Sequence, residues 1–133
     1  MSDAQLECAL ERMRKAIAGK PLHFSTFEWF TALAWMIFEE EACDIVVLEV
    51  GLGGRLDATN LVNSPLLTIV TKIAYDHQNY LGNTLSAIAH EKAGIVKYCV
   101  PLVIYPEPEE AVAVLTQTAY RMNAPLRQVD LTQ

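Results

Sequence analysis

The chain has 133 residues, 52% hydrophobic and 20% charged, the proportions of one soluble folded domain, which excludes intrinsic disorder. Ten Lys and Arg against sixteen Asp and Glu give a net charge of -6, which sets nucleic acid aside as a main partner, because such binding needs clustered basic side chains to neutralise phosphates. The longest apolar run, Ala32 to Phe38, falls far short of the roughly 20 residues of a bilayer span, and the start MSDAQLECALERMRKAI lacks the basic end and apolar core of a secretory signal, so no membrane association and a cytoplasmic location are expected.

Taken in chain order, Ala4 to Ala18 reads as a helix, with Leu6, Leu10, Met13 and Ile17 at helical spacing among charges. Gly19-Lys20-Pro21 ends it, since proline disfavours helix in the residue before it. A second helix is expected from Ser25 or Thr26 to about Glu41, capped by one of those hydroxyls and with Glu28 placed well against the helix dipole. Trp29, Phe30 and Trp35 on it read as core residues. The β-branched run from Asp44 to Val50 reads as a strand buried on both faces, as do Leu66 to Lys72 and Val100 to Ile104. Helices are expected at about Thr84 to Gly94 and Glu107 to Met122. Strands alternating with helices define an α/β fold, a mostly parallel sheet flanked by helices in three layers. Cys8, Cys43 and Cys99 form no CxxC pair and read as small hydrophobes in a reducing compartment.

In an open parallel sheet, ligands sit beyond the carboxyl ends of the strands, and three polar features fall there. Glu49 ends an apolar run and is followed by Gly51-Leu52-Gly53-Gly54-Arg55. A buried carboxylate needs a partner, so Glu49 is either salt-bridged, with Arg55 as the nearby candidate, or aimed into a site as an oxygen ligand for a hard cation such as Mg²⁺. The glycine spacing is GxGG and not a dinucleotide fingerprint; such glycines let the backbone turn sharply beside a ligand. Asp76-His77 follows the second strand, either as a surface dyad or as part of a site. Lys92 lies seven residues after Leu85, on the apolar stripe that also holds Ile88 and Ala89. A lysine there snorkels, loses its charge or meets a partner, and a desolvated amine is readily modified. No Walker A loop, GxSxG elbow, HExxH or EF-hand loop is present in the sequence.

LEVGLGGRLDATN (Leu48 to Asn60), Asp76-His77, Leu81-Gly82 and AHEKAGIVK (Ala89 to Lys97), together with FSTFEWFTALAWMIF (Phe24 to Phe38), resemble folylpolyglutamate synthase and the bifunctional dihydrofolate synthase of the Mur ligase superfamily. The likeness covers roughly His23 to Val103. It implies an ATP-dependent ligase that phosphorylates a substrate carboxylate and lets the amino group of glutamate attack the acyl phosphate, with folate or dihydropteroate as the other substrate. By motif position, Glu49 and His77 would be metal ligands for Mg²⁺, and Lys92 would be the lysine carbamylated by CO₂. Asp57 and Asn60 fall in the motif without a role beyond shaping the loop. The resemblance implies a single partial domain over residues 1–133, the second half of a P-loop NTPase-like central ATPase domain without its phosphate-binding loop, with residues 1–21 as a helix and connection leading into it. Tyr98-Cys99 stands where the family has Pro-Gly. The expectation is a ligase fragment with an incomplete ATP site, inactive alone. The alternative is a non-catalytic, self-associating interaction module, a possible homo-oligomer formed through uncovered sheet edges and apolar helix faces. A small Mg²⁺-dependent phosphate hydrolase using Glu49, Asp76 and His77 lacks a recognisable nucleophile.

Overall fold

The structure is a computed structural model that describes residues 2–132, and the chain divides into two compact units, Met1–Glu49 and Val50–Gln133. In the first unit, two serines start two helices. Ser2 caps α1 (Asp3–Ile17): its hydroxyl accepts from the Gln5 N–H at 3.3 Å while Gln5 Oε1 accepts the Ser2 N–H at 2.7 Å. Ser25 does the same for α2 (Thr26–Glu40), with Glu28 Oε2 accepting the Ser25 N–H at 2.7 Å. This reciprocal pattern satisfies two of the donors that a helix start leaves unpaired. The Ser25 N–H and then its hydroxyl hold the Glu28 carboxyl below the usual carboxylate range.

Helices α1 and α2 pack on each other, burying Ala9, Thr31 and Leu33, and Gln5 Nε2 donates to Glu41 Oε1 at 2.8 Å. The expected core role of the α2 aromatics needs correction. Trp29 and Trp35 are half-buried, and Trp35 meets Phe38 edge-on at 6.2 Å, but Phe30 is 64% exposed. The helix is apolar around most of its circumference, and one partner helix covers only one side of it.

The run 44–50 forms no strand, and its Val47 is 89% exposed. The expected buried strand is absent here because a strand exists only where a neighbour pairs with its backbone, and no described residue supplies that ladder. A β-branched apolar run alone cannot create one.

The second unit holds β1 (Thr68–Val70), α3 (Gln78–Leu81), α4 (Leu85–Ala93), β2 (Leu102–Ile104), α5 (Glu109–Arg121) and β3 (Leu126–Gln128). The three strands are parallel in the order β1-β2-β3, with Thr68 beside Leu102 beside Leu126 and Val70 beside Ile104 beside Gln128. Spatial order follows chain order and α4 packs on α5, so both crossovers lie over the same face. Ile88 of α4, Leu102 and Ile104 of β2 and Leu115 of α5 are the largest fully buried side chains, each contributing about 1.5–3 kcal/mol from burial.

The other face of this sheet carries Ile69, Val103 and Arg127, and Ile69 is 55% exposed. The reading of Leu66 to Lys72 as buried on both faces is therefore corrected: within its unit β1 alternates between a covered and an open face. Strand β3 gave no sequence signal, since Leu-Arg-Gln has no apolar run and is recruited by the ladder to β2. The cysteines are also not core residues. All three are free and exposed, Cys8 on α1, Cys43 just past α2 and Cys99 in a turn at φ +58°.

Candidate functional site

The segment Gly51 to Asn60 is a loop held by its own aspartate. One carboxylate oxygen of Asp57 accepts the Gly51 and Leu52 N–H groups, both at 3.0 Å; the other accepts the Thr59 N–H at 2.8 Å and the Thr59 hydroxyl at 2.5 Å. Burial pushes the Asp57 carboxyl upward, but these donors outweigh it and leave its pKa below the ordinary aspartate value.

This loop docks on the C-terminal end of α4. The Arg55 N–H donates to the Glu91 carbonyl at 2.9 Å, and the Arg55 guanidinium reaches the Glu91 carboxylate at 3.1 Å. The acidic partner of Arg55 is thus Glu91, because the loop carries Arg55 to the helix. Asn60 Nδ2 donates to the Arg55 carbonyl at 3.2 Å and to the Gly94 carbonyl at 3.1 Å. Gly54, at φ +156°, lies where a Cβ would come within 2.9 Å of the Glu91 carbonyl oxygen and 3.1 Å of that of Lys92. The close approach that Gly54 allows in the structure is to α4. Two motifs more than thirty residues apart in sequence are one packed substructure.

Helix α4 begins at Thr84, whose hydroxyl accepts the Ala87 N–H at 3.1 Å. Its stripe of Ile88, Ala89 and Ala93 is buried in the core of this unit, and Lys92 is half-buried beside it. Asp76-His77 lies beyond β1, on the carboxyl side of the strand. Both side chains are exposed, with His77 Nε2 3.6 Å from Asp76 Oδ2, while Asp76 Oδ1 accepts the His77 N–H at 2.7 Å. His77 sits at φ +49° and starts α3, its carbonyl accepting from Tyr80 and Leu81. Glu49 is exposed and ends the first unit, whereas His77 and Lys92 belong to the second.

Among the described residues no three His, Cys, Asp or Glu side chains are grouped to hold a metal ion. Mg²⁺ is commonly held by only one or two carboxylates, its shell completed by water and substrate phosphates. The exposed carboxylate and imidazole donors of Glu49, Asp76 and His77 fit that requirement in chemical type.

One feature beyond strands β1 and β2 escaped sequence reading. A cleft of about 550 Å³ is lined by Ile73, Tyr75, Leu85 and Pro106 among others, and at its rim Lys72 lies 3.8 Å from Glu107 and 5.6 Å from the Tyr105 ring centroid. Its parts come from three separate segments with no shared motif.

This parallel α/β arrangement, with the glycine loop docked on the end of α4, matches solved structures of the Mur ligase fold over the span of the chain. The Escherichia coli FolC protein in complex with DHPP and ADP matches with a TM-score of 0.86 at 34% identity, over 96% of this chain and 30% of that one. A folylpolyglutamate synthase solved with AMPPCP and folate matches with a TM-score of 0.83 at 36% identity, over 96% of this chain and 30% of that one. In sequence, the dihydrofolate synthase/folylpolyglutamate synthase of Bacillus subtilis is 43% identical over 124 residues, 92% of this chain and 28% of the relative. No family model matches the chain. Over most of its own length the chain thus matches folylpolyglutamate/dihydrofolate synthases, and it spans under a third of the length of those it matches. No helix among the described residues is long and apolar enough to cross a membrane.

Proposed function

We propose that this chain carries the metal-binding and lysine-bearing part of an ATP-dependent ligase that joins glutamate to a folate. The reading is supported above all by the docking of the Gly51–Asn60 loop onto the end of α4, which builds the two motifs that carry the resemblance into a single substructure. In this reaction the substrate carboxylate takes the terminal phosphoryl group of ATP and ADP is released; the amine of glutamate then attacks the acyl carbon, and phosphate leaves as the amide forms and the nitrogen gives up a proton. Glu49 and His77 would hold Mg²⁺, which when bound offsets the charge developing on the transferring phosphoryl group. Lys92 contributes as a carbamate: its neutral amine attacks CO₂, an N–C bond forms, and a proton leaves to solvent. The product is an anion on a half-buried helix position, suited to orienting a cation.

The test is a graft. The matching segment of the Bacillus subtilis relative is replaced by this chain, and glutamate addition to a folate is measured. The grafted enzyme is expected to turn over, and Glu49→Gln, His77→Ala and Lys92→Ala are each expected to lower kcat by about 100-fold, the scale of a lost electrostatic contact to a transition state. Full activity in the His77→Ala and Lys92→Ala grafts would overturn the assignment.

A further inference from the structure

The last turn of an α-helix leaves up to four carbonyls without donors from the helix itself. At the end of α4 these carbonyls are met from two sources. The chain folds back on three of them, with Gly94 N–H to Glu91, Ile95 N–H to Lys92 and Val96 N–H to Ala93 at 3.3, 3.3 and 3.1 Å. The loop adds two donors: Arg55 N–H also reaches the Glu91 carbonyl, at 2.9 Å, and Asn60 Nδ2 reaches that of Gly94, the residue just past the helix, at 3.1 Å. The Asn60 amide also donates to Arg55 at 3.2 Å, and the Asn60 carbonyl accepts from Lys97 Nζ at 3.5 Å. One side chain therefore ties loop to helix end, and Lys92 lies inside the turn that it ties.

We infer that Asn60 is a positioning residue for Lys92: by bridging the Arg55 and Gly94 carbonyls it holds the last turn of α4 closed and so sets how far the lysine is withdrawn from solvent. The purpose of this arrangement rests on the reading of Lys92 given above, but its test does not. Both amide protons of Asn60 are committed to carbonyl acceptors, so a residue of the same size without donors, such as aspartate, leaves both carbonyls unmet and places a charge against them.

The experiment is trace acetylation of the 133-residue chain with acetic anhydride, read by mass spectrometry as the labelling of Lys92 relative to the exposed Lys15 and Lys72. Loss of the bridge in Asn60→Ala and Asn60→Asp is expected to raise that ratio about fivefold, the shift in local opening that a lost hydrogen bond produces. Thr84→Ala weakens α4 from its other end and is expected to leave the ratio within about twofold of the parent. An unchanged ratio in both Asn60 variants, or an equal rise in Thr84→Ala, overturns the inference. If neither Asn60 variant folds, hydrogen exchange of the parent decides: protected Asn60 side-chain amide protons support the bridge, and exchange at the solvent rate rejects it. A raised ratio alongside a fully active Lys92→Ala graft would leave the positioning role standing and remove only the catalytic reading of Lys92.

Discussion

Gly94 faces Arg55 across the loop–helix junction with no room for a side chain: a Cβ built on Gly94 would overlap the Cα and Cβ of Arg55. The close approach lets the Arg55 N–H reach the Glu91 carbonyl and the Asn60 amide reach that of Gly94. The glycine in this motif is required by packing and not by backbone conformation, since Gly94 sits at φ -63°, which any residue adopts.

Gly94→Ala should therefore destabilise the second unit by about 1–3 kcal/mol, the usual cost of forcing a methyl into a filled space. Urea unfolding followed by circular dichroism measures it. Gly19 is the contrasting case, at φ +76° with nothing within 4 Å of an added Cβ. Gly19→Ala should cost only about 1 kcal/mol, from conformation alone, and should leave the contact between Arg55 and Glu91 intact.

Asp57 makes the loop sensitive to acid. Its folded pKa lies below the ordinary aspartate value of 3.8, so its contribution is fully present above that value and disappears as pH falls through the folded one. Stability against urea should decline in the parent chain below about pH 4 from this source. Asp57→Asn cannot lose a proton there and should be less stable than the parent near neutrality, with a flatter profile in acid. Parallel profiles for the two proteins would show that the carboxylate contributes nothing through its charge.

The centre of the second unit is Ile88, fully buried between α4, α5 and the sheet. Ile88→Ala should cost about 2–5 kcal/mol, the range for truncating a core aliphatic residue. Thermal unfolding checks it, and Ile69→Ala on the open face of β1 should cost far less.

The local elements were largely legible in the sequence. Apolar spacing located α1, α2 and α4 to within a residue or two, and Ser25, one of the two hydroxyls expected to cap α2, proves to be its cap. These signals are readable because a helix satisfies its own backbone within a dozen residues. The run 44–50 shows the opposite case, since its β-branched pattern is intact but its pairing depends on another strand. Phe30 likewise has the apolar character of a core residue, but its exposure depends on what packs against α2.

The site divides along the same line. Residue types and spacing singled out Glu49, the Asp76-His77 pair and Lys92 as candidates, and the motif likeness led to the synthases that the comparisons also find. What the chain's own letters could not reveal is that Asn60 and Gly94, thirty-four residues apart, share a hydrogen bond, or that Arg55 pairs with Glu91. Helix propensity, capping and hydrophobic period act over one or two turns, so they are written locally. Strand pairing and the docking of the loop on α4 depend on which surfaces meet, and only the folded chain decides that.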